Sequence, residues 1–271
     1  MDKHRSIINK IKKIYIKNDN CELYINKEKD ICTVIKKLNR YDITNVVLSK
    51  ELKENQYLIN ALNANNINIF DGRWLEKYLS IEILDYIVNK KDMKKEETEI
   101  AITTNEINDL SIETIKKLVK QYRRVVIVTN YIEKLRKIEK EIYDKEGILI
   151  VVSNNQKKSL LKAEIILNID FNKELLNKYK INENAVILNL EGNMKIDDKR
   201  FNGINVNDYE INVGKEEHIW RENYQSFRTK DLLEAVLYMK DTFKNIRSKI
   251  AQSKVSIKDL YGVNGKIERF S

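Results

Sequence analysis

The chain has 271 residues, enough for about two domains of ordinary size or one large domain with an appended piece. Hydrophobic residues make up 42% and charged residues 34%, which excludes intrinsic disorder. Seven glycines and no proline stand where average usage gives about 19 and about 13, so glycine-built sites are nearly excluded, and the net charge of +9 asks where the excess cations lie.

Residues 6–15 place Ile7, Ile8, Ile11, Ile14 and Tyr15 at helical spacing between lysines, predicting an amphipathic helix packed on the protein. A strand–helix rhythm follows: strand 22–25, helix 30–39, strand 45–48, helix 51–64, strand 67–70 and helical pieces to 89. The run KKDMKKEE at 90–97 marks a boundary. The rhythm then repeats with strand 99–103, helix 111–122 capped near Ser111, strand 125–129, helix 132–145 closed by Gly147, and strand 148–152. Helix 157–163, strand 164–168, helix 173–178 and strand 185–189 continue it. Helices at 229–240 and 243–252 precede a turn at Tyr261-Gly262-Val263-Asn264-Gly265. Apolar runs such as VVIV and ILIVV demand cover on both faces. The reading is an α/β protein with two parallel-sheet lobes, residues 1–95 and 96–215, the second Rossmann-like and doubly wound, plus a helical C-terminal extension over 216–271.

The excess charge sits at the ends. Residues 1–19 hold six Lys/Arg against two Asp/Glu and residues 221–271 hold eleven against six, so the middle is neutral. Nucleic acid is an eligible partner for these ends, although no aromatic-basic motif or helix-turn-helix supports it. No apolar run approaches the roughly 20 residues that span a bilayer and the start lacks a secretory pattern, so the expectation is a cytoplasmic chain with no membrane span. Cys21 and Cys32 make neither a disulfide framework nor a zinc set, and metal has no sequence support. His4 and His218 are the only histidines; no G-x-S-x-G elbow accompanies them, and His218 reads as part of a helix start.

The stretch 123–170, with strand RRVVIVTN, a long helix, strand GILIVVSNN and then KAEIILNID, resembles the nucleotide-binding core of Rossmann-type proteins. With a smaller α/β lobe ahead and helices at the end, the layout is similar to two-domain shikimate dehydrogenase and glutamyl-tRNA reductase-like proteins. The resemblance implies a dinucleotide turn after the first strand. Taking that strand as 125–129, the turn holds Thr129, Asn130, Tyr131, Ile132, Glu133 and Lys134, without glycine, and Ser153, Asn154 and Asn155 stand where a ribose-binding acid belongs. No cofactor is therefore expected, NAD or NADP included.

Candidate ligand-binding residues are those at strand ends. Asp71, Gly72, Arg73 and Trp74 set a rare glycine beside charge and an aromatic ring, where a capped helix start is the plainer account. Thr129, Asn130, Ser153, Asn154, Asp170 and Glu191 follow other strands and, with the first four, would line a cleft between the lobes. The expected function is binding or regulation of a small ligand or a protein partner. The alternative is a divergent nucleotide-dependent oxidoreductase or transferase that holds its cofactor through Arg73, Asn130 and Ser153.

Overall fold

The computed structural model describes residues 11–16, 21–25, 31–197, 199–214, 225–238 and 243–270. The chain forms two compact units, Met1–Leu75 with Asn212–Val255, and Glu76–Ile211 with Ser256–Ser271. The sequence-based divisions at 95/96 and 215/216 do not coincide with these limits.

In the first unit, β1 (Ile11–Ile16), β2 (Cys21–Ile25), β3 (Asn45–Leu48) and β4 (Asn68–Phe70) make a sheet in the order β2-β1-β3-β4. The expected parallel pairing joins β3 to β4, while β1 runs antiparallel to both β2 and β3. Residues 11–16 are thus a strand and not the helix that isoleucine spacing suggests; two flanking ladders outweigh a local period. Residues 6–10 of that expected helix lie outside the described residues.

Helix α1 (Ile31–Arg40) buries Ile31, Val34, Ile35 and Leu38, a stripe at i, i+3, i+4 and i+7. It packs on Leu58 and Leu62 of α2 (Gln56–Ala64) and on Val46 and Leu48 of β3. Val47, pointing the other way, joins Phe70 against Phe227, Leu232 and Ala235, the last two on α7 (Thr229–Leu237). Each such fully buried aliphatic side chain stabilises the fold by roughly 1.5–3 kcal/mol. Residues 52–54 form a 3₁₀ turn instead of the first turn of α2, because Asn55 is extended and its side chain caps Leu58 N–H. Helix α8 (Phe243–Gln252) matches the sequence reading. Helix α3 (Arg73–Lys90) starts in this unit and continues into the second.

The second unit holds six parallel strands, β5 (Glu99–Thr103), β6 (Arg124–Val128), β7 (Val151–Ser153), β8 (Ile165–Asn168), β9 (Val186–Asn189) and β10 (Ile204–Val206), in the order β10-β9-β8-β5-β6-β7. Ala101, Ile166 and Ile187 meet Leu160, Phe171, Leu176 and Tyr179 on one face. The alternate residues Ile100, Ile102, Ile127, Ile165 and Leu167 are equally buried, so both faces are covered. Helix α4 (Asp109–Gln121) is capped by Asn108, with Ser111 returning the bond as the third helical residue, which corrects the expected cap at Ser111. Gly147 closes α5 (Ile132–Glu146) at φ 67°, as its position implies.

Residues 157–163 are turns and not a helix. The Asn155 side chain accepts from Lys157 N–H and Lys158 N–H, and Leu160 then bridges to Ile181, which ends the first turn before it can propagate. Helix α6 (Lys173–Leu176) is a single turn. The C-terminal stretch is only partly helical: β11 (Asp208–Asn212), β12 (Ser256–Gly262) and β13 (Gly265–Lys266) form a three-stranded sheet, with the expected hairpin turn at Val263 and Asn264. His4, His218 and most of residues 1–19 lie outside the described residues. No helix among the described residues is long and apolar enough to cross a membrane, and none of their His, Cys, Asp and Glu side chains cluster as a metal site.

Candidate functional site

Counted from β5, the six-stranded sheet runs 3-2-1-4-5-6, the Rossmann order, with its topological switch between β5 and β8. This corrects the position of the dinucleotide turn. The first strand is β5, paired on one side with β6 and on the other with β8, so the phosphate-facing turn is Thr104-Asn105-Glu106-Ile107-Asn108-Asp109 and not the bend after Val128. Chain order alone does not reveal which strand is central. The turn at the switch also lacks glycine, and it adds two acids, Glu106 and Asp109.

Two of its N–H groups, those of Asn105 and Glu106, are already taken. The half-buried Asp170, after β8, accepts Asn105 N–H at 2.8 Å on each oxygen and Glu106 N–H on Oδ2, with the Thr104 hydroxyl at 3.5 Å. Burial raises the Asp170 acid above the ordinary carboxylate range, opposed by the backbone donors. Asn105 then reaches the next loop: its Oδ1 accepts Asn130 N–H at 2.9 Å and lies 3.4 Å from the Thr129 hydroxyl. The cavity between this turn and α4, bordered by Glu106, Asn108, Ser111, Ile169 and Leu190, holds about 10 Å³, the room of about one water molecule.

Beyond the switch, the ends of β8, β9 and β10 are closed by a buried amide ladder. Asn168 Nδ2 donates to Asn189 Oδ1 at 3.2 Å, Asn189 Nδ2 donates to Asn207 Oδ1 at 2.9 Å, and Asn207 Nδ2 donates to Met194 O at 3.0 Å. Thr103 Oγ1 donates to Asn168 Oδ1 at 2.6 Å, and Asn168 also exchanges bonds with the Phe171 backbone. The three amides are at most 1% exposed and satisfy one another. One sequence signal marks two of them, although strand-end residues alone do not single it out: Ile-Leu-Asn ends both β8 and β9.

The first unit has its own closed anion site, at the start of α3. Glu234 of α7 accepts Gly72 N–H at 2.6 Å, Trp74 N–H at 2.8 Å and Leu75 N–H at 3.3 Å, and Asp71 Oδ1 accepts Arg73 N–H at 3.0 Å. Gly72 is required here, since its φ is 88° and a Cβ would lie 2.6 Å from Lys230 Cδ. Asp231 pairs with Lys53 at 2.7 Å, and burial raises both acids, Asp231 to about 6 and Glu234 to about 7. Tyr238 meets the rings of Phe70 and Trp74 edge-on, with centroids at 5.1 and 5.3 Å. Nothing in local spacing marks Glu234 as the cap of a helix 160 residues away.

Of the expected ligand residues, Asn105 brings Thr129, Asn130 and Asp170 together in the second unit. Ser153 is joined to Thr129 through the backbone and bonds Ser159 Oγ at 2.8 Å. Asn154 and Glu191 are exposed at the ends of β7 and β9. Asp71, Gly72, Arg73 and Trp74 form the start of α3 in the first unit.

No family model and no curated protein matches the chain. Among solved structures it is similar to a shikimate dehydrogenase in complex with NADP+, at 15% identity over 65% of this chain and 61% of that one, with a TM-score of 0.38. It is similar to the A chain of dipicolinate synthase from Bacillus subtilis at 11% identity over 86% and 72%, with a TM-score of 0.41. An aspartate transcarbamoylase from Trypanosoma cruzi in complex with aspartate and phosphate gives 12% identity over 62% and 59%, with a TM-score of 0.30. The chain spans less than two thirds of the dehydrogenase and of the transcarbamoylase. These are likenesses of fold at low identity, and the Rossmann-like assignment rests on the strand order.

Proposed function

We propose that this Rossmann-like chain acts by binding, of a small ligand or a protein partner, and not as a dinucleotide-dependent dehydrogenase. One observation carries the reading: at the switch point, where a Rossmann dinucleotide sets its pyrophosphate on backbone N–H groups, the Asp170 carboxylate occupies those of Asn105 and Glu106. A diphosphate arriving there would have to displace a carboxylate and then sit beside Glu106. The amide ladder over β8, β9 and β10 supports the same reading, because it leaves the other half of the carboxyl edge filled with side chains that satisfy one another.

Thermal unfolding with NAD+ or NADP+ at about 1 mM tests it, since a site of about 10 μM affinity would add nearly 3 kcal/mol. The expected outcome is no saturable stabilisation of the wild type by either dinucleotide. Saturable stabilisation that is lost in Asn105→Ala would overturn the reading and favour the enzyme alternative.

A further inference from the structure

The six-stranded sheet ends at β10, where the C-terminal hairpin meets it: Asn207 N–H donates to Tyr261 O at 2.8 Å, and Gly262 approaches so closely that a Cβ would lie 2.7 Å from Asn205 O. Beside this contact, two strands from the switch point, lies a hollow of about 360 Å³ bordered by both Asn205 and Gly262. That volume suits a small ligand. Its apolar wall is made of Ile196, Phe201, Ile204 and Ile267.

The polar side chains of the lining decide what the hollow can hold. Asn205 Oδ1 is buried without a hydrogen-bond partner, and a buried acceptor left unmade calls for a donor. Lys266 is already paired with Asp259 at 2.7 Å, which largely cancels its charge. Lys195 is exposed on the rim, and no carboxylate stands among the lining residues. The uncompensated charge is therefore that of Lys195. It matches a carboxylate better than a phosphate group, which carries more than one negative charge near neutral pH. Without an acid, the lining disfavours an ammonium. A side-chain amide sets a donor beside its acceptor, so the group that matches Asn205 offers both, as the N–H and carboxyl of an extended amino-acid residue do.

We propose that this hollow binds an N-acylated apolar amino acid. The carboxylate lies at Lys195, the amide N–H donates to Asn205 Oδ1, and the apolar side chain rests on Phe201, Ile204 and Ile267. The last residue of a peptide carries the same groups, so the same chemistry belongs to a free acylated amino acid and to the C-terminus of a partner chain. The site uses no residue of the turn at the switch point and stands independently of the dinucleotide reading, so either fails without the other.

Nitrogen-edited NMR titration of the full chain with N-acetyl-leucine, up to about 10 mM, tests the proposal in the affinity range open to so small a ligand. The Asn205 side-chain amide and the Gly262 and Gly265 backbone amides should shift and saturate, with a Kd of about 1 mM or below. N-acetyl-leucine amide lacks the charge, isocaproate lacks the N–H, and leucine carries an ammonium in its place; each should bind about tenfold more weakly or worse. Lys195→Ala should weaken N-acetyl-leucine about tenfold and leave the binding of its amide unchanged, while Lys199→Ala, outside the lining, alters neither. Asn205→Leu should abolish saturation, and Lys195→Ala, at an exposed position, keeps the test open if that variant misfolds. Acetyl-Ala-Ala-Leu separates the two sources: binding at least as tight as that of N-acetyl-leucine assigns a peptide C-terminus, and weaker binding assigns the free molecule. Signals that stay unmoved throughout, with water alone serving Asn205, overturn the proposal. So does equal binding of the acid and its amide, or binding that Lys195→Ala leaves intact.

Discussion

At the scale of single residues, one carboxylate does the work of a helix cap and one that of a bound anion. Glu234 holds three N–H groups of α3 with its acid raised to about 7 by burial and by the nearby Asp71 and Asp231. A carboxyl whose folded pKa lies above its ordinary value binds its proton more tightly when folded. Its contribution to stability is present below about 4.5 and fades as the pH rises through 7; Asp231, raised to about 6, adds a decline in the same direction. Urea unfolding should therefore show the wild type less stable at pH 8 than at pH 5, with a shallower fall in Glu234→Gln. Gly72→Ala, at φ 88° and facing the Lys230 stem, should lose about 1–3 kcal/mol or more in the same assay. Asp170→Ala strands the N–H groups of Asn105 and Glu106, a cost of about 1–3 kcal/mol. Inorganic phosphate should recover part of that loss in the variant and leave the wild type unmoved, as read by melting temperature.

Among the elements, the amide ladder ties three strand ends that are 18 to 21 residues apart in sequence. Asn189→Leu removes its middle rung and should cost about 1–3 kcal/mol; denaturant titration would show it, and Asn154→Leu, at an exposed position, serves as the neutral comparison. Where local chemistry decides, the sequence was readable: β3, β5 and α8 match their expected limits, and Gly147 closes α5. Where pairing over distance decides, it was not. The isoleucines of residues 7–14 keep a helical period, yet 11–16 sit between two strands. The same cause hid the site. Asp170 is legible as a strand-end acid, but its partners Asn105 and Glu106 lie 65 and 64 residues earlier, and only strand order makes them neighbours.

For the molecule as a whole, the chain passes between its units three times, after Leu75, Ile211 and Val255. A fragment ending at residue 95 keeps β3 and β4 but lacks α7, and with it Phe227, Leu232 and the Glu234 cap. Expressed alone, residues 1–95 should melt without a cooperative transition, whereas 76–211 retains every strand of the six-stranded sheet and should melt with one; circular dichroism distinguishes the two outcomes. This interleaving reverses the usual schedule of synthesis, in which the N-terminal portion settles first. On the ribosome, the unit begun earliest waits for residues 212–255 to emerge, so Phe70 and Val47 stay uncovered while the later-made sheet assembles, and this interval is when a chaperone has most to shield.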